Sequence, residues 1–117
     1  MQQHQWVREL PASITVFDTK GVITEMNDRA CASFADDGGA ALIGTNVLDC
    51  HPEPARTVLA HLLSTGTSNC YTIEKEGKKK LIFQSPWYEE GVYRGLVEIS
   101  ILLPATLPHF VRDPESP

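Results

Sequence analysis

At Gly66 the hydrophobic period of this chain changes, and that change restricts the fold more than any other feature. Before it, Ala55, Val58, Leu59, Leu62 and Leu63 fall at i, i+3, i+4, i+7 and i+8, one apolar stripe along a helix. After it the period is two. Cys70 to Lys75, Lys80 to Trp87 and Tyr93 to Leu102 read as three strands, with Glu76-Gly77 and Glu90-Gly91 marking the turns between them. Tyr71 and Ile73 share one face of their strand, as do Leu81, Phe83, Ser85 and Trp87, and again Val97, Ile99 and Ile101. Which of these faces meet is left open by the alternation. A helix that feeds a three-strand antiparallel meander must lie across that sheet to hide its stripe.

Upstream, SITVFDTKGVITEMN reads as a hairpin from Ile14–Phe17 to Val22–Met26, with Asp18 starting the turn and Gly21 supplying positive φ. Asn27 then reads as an N-cap, with Asp28 favourable in the first turn. Ala30, Cys31 and Phe34 share a face of that helix, Asp37-Gly38-Gly39 breaks it, and Ala40 to Ile43 can form one further turn before Gly44. In the long helix Pro52 and Pro54 suit the first turn, where amide N–H groups lack partners anyway, and Gly66 suits the left-handed end. The order is two strands, two or three helices, then three strands. It predicts an α+β domain, a five-stranded antiparallel sheet with helices covering one face.

The expected organisation is an N-terminal flank or helix over residues 1–12, the domain over 13–103, and a proline-rich tail over 104–117. Pro104, Pro108, Pro114 and Pro117 keep the tail from continuing a helix or a central strand. It should be an extended arm, ordered only where Leu107, Phe110 and Val111 dock. Trp6, Val7 and Leu10 in the flank suit a dimer or partner contact, or the capping of their own sheet.

Charge and composition exclude several functions. The formal net charge is −5 over 117 residues, which argues against a binder of phosphate backbones. Lys75, Lys78, Lys79 and Lys80, interleaved with Glu74 and Glu76, read as a solvated hairpin tip, the alternative being a docking patch for an acidic partner. Cys31, Cys50 and Cys70 give no disulfide framework, and CxxC, CxxCH and HExxH are all absent. The N-terminus has no secretory apolar region, and no apolar run approaches the ~18 residues of a membrane helix. The expectation is a reduced, soluble, cytoplasmic protein that binds neither nucleic acid nor membrane. It is not expected to be an enzyme, since no nucleophile, base and orienting group can be recognised together. Asp49 and His51 could form an acid/base pair, without a third member.

Asp49-Cys50-His51 is nonetheless the segment richest in chemistry. His51 precedes the helix and is free to cap it, face solvent, or point into the space the helix covers. His61 points away from the apolar stripe and reads as solvated. Arg94 and Glu98 share strand parity and read as a surface ion pair.

From about residue 10 to 103 the chain resembles a PAS domain, the small sensory module of signalling proteins. The resemblance rests on Asp18 with Gly21-Val22-Ile23, on Asn27 with Ala30 and Phe34, and on Leu42-Ile43-Gly44-Thr45-Asn46. The helix ending Ser64-Thr65-Gly66 and the closing meander complete it. It implies a pocket between sheet and long helix for haem, flavin or a small metabolite, although other members of the family carry no ligand and act as dimerisation modules. Photosensory flavin members have cysteine directly after the asparagine that here is Asn46. Val47 stands there, so flavin–cysteine photochemistry is not supported. Oxygen-sensing haem members use a histidine on the inward face of the long helix, and that face here is aliphatic. Cys50-His51-Pro52 is similar to a segment of some bacterial PAS modules that accompany haemerythrin-like domains. Cys50 or His51 could ligate haem iron or a metal, the plainer alternatives being helix-entry packing, capping, or a polar contact to an organic ligand. No metal site and no cofactor is assigned. The pocket expected is lined by Phe34, Leu48, Cys50, His51, Leu59, Leu62, Tyr71, Phe83 and Trp87. The function implied is a non-enzymatic bacterial sensor that binds a small ligand and relays it through a homodimer or a separate signalling protein. The alternative is a ligand-free interaction or dimerisation domain.

Overall fold

The computed structural model of the protein describes residues 4–114, so residues 1–3 and 115–117 of the expected flank and tail lie outside the described residues. Five strands form one antiparallel sheet: β1 (Ser13–Asp18), β2 (Ile23–Met26), β3 (Asn69–Lys75), β4 (Lys78–Glu89) and β5 (Val92–Leu102). Their spatial order is β2-β1-β5-β4-β3, so the first strand pairs with the last. The helices are α1 (Gln5–Arg8), α2 (Asp28–Ser33) and α3 (Ala55–Thr65), with three short 3-10 turns between α2 and α3. No helix among the described residues is long and apolar enough to cross a membrane.

The register decides which side of the sheet the helices cover. Along β1 every second residue is buried, namely Ser13, Thr15 and Phe17. Phe17 lies opposite Leu96, and Thr15 opposite Glu98. Glu98 lies opposite Gln84 on β4. This inner face carries the core: Phe17 and Leu96 pack with Ile23, Met26, Ala30, Val47, Leu59, Leu62 and Leu63. At Gly95, which has φ +144° and pairs with Asp18 of β1, a Cβ would stand 1.9 Å from the Phe17 carbonyl oxygen. Only glycine fits that crossing.

Local chemistry holds the first half together. The Asp18 carboxylate accepts from the Lys20 and Val22 amides, and Gly21 takes φ +90° to close the hairpin. Asn46 then stitches this turn to the segment before α3: its side-chain amide donates to the Lys20 carbonyl, and the Val47 amide donates to the Gly21 carbonyl. Asn27 is the N-cap of α2, as its position predicts. Its Oδ1 accepts from the Ala30 and Ile14 amides, while its Nδ2 donates to the carbonyls of Val7 and Ala12. One side chain thereby joins α1, β1 and α2.

The start of α3 differs from the expectation. Its first residue is Ala55, so Pro54 is the N-cap and Pro52 lies outside the helix. The cap is supplied by Glu53, whose carboxylate accepts from the Thr57 amide at 2.8 Å and the Thr57 hydroxyl at 2.6 Å. These bonds, from the hydroxyl first and then the amide, hold the Glu53 carboxyl below its ordinary range, and Arg56 adds to them. Gly66 ends α3 in the left-handed conformation. Of the apolar stripe, Leu59, Leu62 and Leu63 are buried, but Val58 is 46% exposed because the five-residue stripe is wider than the helix–sheet contact. His61 is exposed. Beyond β5 the Leu103 amide still bonds to the Lys79 carbonyl. Residues 104–114 then form neither helix nor strand, and Leu107, Phe110 and Val111 are exposed.

Candidate functional site

His51 follows the 3-10 turn Val47–Cys50, which is capped by the Asn46 side chain accepting from the Leu48 amide. The imidazole turns back so that Nδ1 lies 2.8 Å from the Val47 carbonyl oxygen. A carbonyl only accepts, so Nδ1 carries the proton. In the neutral ring Nε2 then keeps its lone pair, and it has no partner among the described residues. His51 therefore does not cap α3.

The ring borders two spaces. One is a hollow of about 40 Å³ beneath the helical segments, whose walls include Thr15, Phe17, Phe34, Asp37, Cys50 and Glu98. The other is a cleft of about 390 Å³ between α3 and the sheet, walled by Pro54, Ala55, Val58 and Leu59 on one side and Asn69, Tyr71 and Gln84 on the other. A polar ladder crosses the inner face at this point. The Asn69 amide donates to Gln84 Oε1 at 3.1 Å, and Gln84 Nε2 donates to Glu98 Oε2 at 2.7 Å. Gln84 is only 4% exposed. Burial pushes the Tyr71 phenol above its ordinary range, and the nearby Glu98 charge adds to the effect.

Glu98 is not paired with Arg94. Arg94 reaches Glu89 instead, at 3.4 Å. The β4–β5 register shifts between Trp87 and Tyr88, so parity counted along β5 does not carry across Gly95.

The expected pocket residues separate into three groups. Phe34, Cys50 and His51 border the hollow, and His51, Leu59 and Tyr71 border the cleft. Leu62 is buried in the core, with Leu48 packed against the core's edge. Phe83 and Trp87 stand on the other side of the sheet, a correction to the expectation. Phe83 lies opposite Ile99 and Ile99 opposite Ile14, all outward, whereas the inward positions are Ile82, Gln84, Leu96 and Glu98. Both faces of β4 carry apolar residues, so alternation alone did not identify the inner one. The Trp87 indole N–H donates to the Phe17 carbonyl at 3.3 Å. In the flank, Trp6 is exposed and Leu10 borderline, while the Val7 carbonyl is held by Asn27. The polar residues Thr15, Asn69, Gln84 and Glu98 were missed. A polar residue in a half-apolar strand is read by default as facing water, and only the register places these inward.

Among the described residues, no three His, Cys, Asp or Glu side chains come together as a metal site needs. The hollow next to Cys50 and His51 has room for one or two water-sized groups, not for a porphyrin.

Solved structures similar to this chain are mostly PAS domains. The PAS domain of BvgS from Bordetella pertussis is 15% identical, with a TM-score of 0.64 over 84% of this chain and 81% of that one. The PAS domain of an HTR-like protein from Haloarcula marismortui is 19% identical, with a TM-score of 0.59 over 84% and 86%. The Aer2 receptor from Vibrio cholerae, a dual PAS–haem oxygen sensor, is 17% identical, with a TM-score of 0.58 over 80% and 95%. No family model matches the chain, and no curated protein matches it in sequence. The α+β architecture of this chain is the PAS fold.

Proposed function

We propose that this chain is a non-enzymatic sensory module that holds a small ligand between α3 and the inner sheet face. The observation that carries this is the cleft of about 390 Å³, with an aliphatic helix wall over a floor of Tyr71 and hydrogen-bonded amides. Small-molecule sites are concave, mostly apolar, furnished with a few fixed polar groups, and roughly 300–1,000 Å³ in size. The Aer2 receptor, which has a similar fold, is a haem oxygen sensor, which supports a sensory role without naming a ligand here.

A ligand shifts output only if it binds two states of the domain with different affinity. The element to move is α3. Its ends are held by few bonds: Arg56 Nε donates to the Leu48 carbonyl at one end, and the Tyr93 hydroxyl donates to the Leu63 carbonyl at the other. The outer sheet face, with Leu81, Phe83, Val97, Ile99 and Ile101, suits contact with a second copy or a separate signalling protein. The three unpaired cysteines suit a reducing, cytoplasmic compartment.

A ligand-free interaction domain is the second reading, and it is favoured by that same outer face, on which Phe83 and Ile101 are both exposed. Native mass spectrometry of freshly purified protein, with light scattering alongside, separates the two. A bound mass lost in Val58→Trp, whose exposed position on the cleft wall lets the ring occupy the cleft, supports the sensor. The bare chain mass, with a dimer that is abolished by Phe83→Glu, supports the interaction domain and overturns the sensor.

A further inference from the structure

The two edges of the sheet are finished differently. β2 is four residues long, and the chain covers its free side: the Ile23 amide donates to the Thr45 carbonyl, and the Gly44 amide donates to the Ile23 carbonyl. β3, at the other edge, is seven residues long, exposed from Cys70 to Lys75, and pairs with β4 alone. Glu76 and Gly77, with φ 53° and 76°, form the two-residue turn whose twist suits a hairpin. Such a turn closes with the Lys75 carbonyl accepting from the Lys78 amide, which makes these two residues a hydrogen-bonded pair. Bonding alternates along an antiparallel ladder, so Asn69, Tyr71, Ile73 and Lys75 bond to β4. The Lys79 carbonyl, which accepts from Leu103 on the opposite side of β4, fits the same alternation. Cys70, Thr72 and Glu74 therefore point their N–H and C=O groups away from β4, and among the described residues nothing pairs with them. Sheet edges are normally blunted by proline, a bulge, charge or a covering loop. From Asn69 to Ile73 this edge has none of these, and its charges, Glu74 and Lys75, are confined to the turn end.

We propose that the free edge of β3 pairs antiparallel with β3 of a second copy of this chain, about a twofold axis at Thr72, so that two sheets become one. A twofold contact requires the strand to suit its own reverse. With the axis at Thr72, that residue faces its own copy, Cys70 faces Glu74 and Asn69 faces Lys75. Every outward N–H and C=O of Cys70, Thr72 and Glu74 then finds its counterpart, and no like charges meet. On the inner face Tyr71 falls opposite Ile73, an aromatic and β-branched pair, and the Thr72 pair is likewise favourable. Tyr71 and Ile73 are 40% and 44% exposed in the single chain, and the pairing covers both. An axis one residue to either side sets Glu74 against Ser68 or Cys70 against Glu76, both outside the strand. β3 carries one acid and one base, so this edge does not repel itself although the chain carries a net charge of −5. A segment of another protein would use the same backbone groups, but the match of the strand to its own reverse selects a second copy. Tyr71 places the contact beside the cleft, and the pairing does not depend on a ligand there.

The test is light scattering of the full chain, with cysteine cross-linking to fix the register. The chain should run at twice its own mass. Thr72→Lys sets two ammonium groups opposite each other and should return the chain to its single mass. Thr72 is exposed and its N–H faces away from β4, so circular dichroism and Tm should change little in this variant. For the register, Thr72→Cys is introduced into a chain that carries Cys50→Ser and Cys70→Ser. Opposite residues of a hydrogen-bonded pair have Cα atoms about 5.5 Å apart, within disulfide reach. Oxidised glutathione should then link two chains, while the chain with the two serines alone stays unlinked. A single-chain mass overturns the inference, as does a dimer that Thr72→Lys leaves intact or in which Thr72→Cys fails to cross-link. A dimer lost in Phe83→Glu but not in Thr72→Lys belongs to the outer sheet face and overturns it too. The sensor reading is decided separately by the bound mass, so the two fail independently.

Discussion

Replacing Asn27 by alanine should be among the most damaging single polar substitutions in this domain. The side chain is 1% exposed and makes four hydrogen bonds to backbone groups of three elements. Losing the cap on the Ala30 amide costs about 1 kcal/mol. The Ile14 amide and the Val7 and Ala12 carbonyls each lose a bond worth about 1 kcal/mol. Together this is about 4 kcal/mol, a lowering of roughly 15 °C in Tm for a domain of this size. Urea unfolding measures it directly, as a fall in midpoint with little change in slope. Asn27→Asp divides the effect. The carboxylate keeps both amide bonds and suits a helix N-terminus, but its second oxygen faces the Val7 and Ala12 carbonyls. Amides of α1 should then exchange faster while those of α2 stay protected. A loss under about 1 kcal/mol in Asn27→Ala would refute this account, as would equal loosening of α1 and α2 in Asn27→Asp.

Other outcomes follow from single contacts. Gly95→Ala should prevent normal folding or cost at least about 3 kcal/mol, because its Cβ would meet the backbone of Phe17 and Asp18; circular dichroism and Tm read it. Burial raises the phenol pKa of both Tyr71 and Tyr93, in Tyr71 with Glu98 adding and in Tyr93 with Tyr88 adding. Their share of stability is therefore complete below the ordinary tyrosine value of about 10 and is lost as pH rises through the folded values. An ultraviolet pH titration should show two phenols ionising late, and Tyr93→Phe should remove one of them. The Glu53 carboxyl is lowered in the fold, so its contribution is present above the ordinary value of 4.5 and is lost as pH falls through the folded value. Exchange of the Thr57 amide should show that loss at acid pH, and Glu53→Gln should abolish the pH dependence.

Much of the scaffold was legible in local pattern. The Asp18–Gly21 turn, the Asn27 cap, the buried trio of α3 and the Gly66 terminus each depend on residues within a few positions of one another. Even so, Glu53 rather than either proline supplies the α3 cap, because the carboxylate reaches forward to an amide four residues on. The candidate site was only half legible. Cys50 and His51 drew attention by residue type, and Tyr71 by its aromatic ring. Thr15, Gln84 and Glu98 gave no such signal, and Phe83 and Trp87 gave a misleading one.

The chain order by itself determined an antiparallel α+β domain, because periodicity, turn glycines and capping side chains act over one or two turns of backbone. The tertiary structure alone decided that β1 lies beside β5, that even-numbered positions of β4 and β5 face α3 near the site, and that Thr15, Gln84 and Glu98 share one row. Those facts depend on register between strands some 80 residues apart. A shift of one residue would reverse every side chain, and the helical cover on one side makes only one of the two registers bury Phe17 and Leu96.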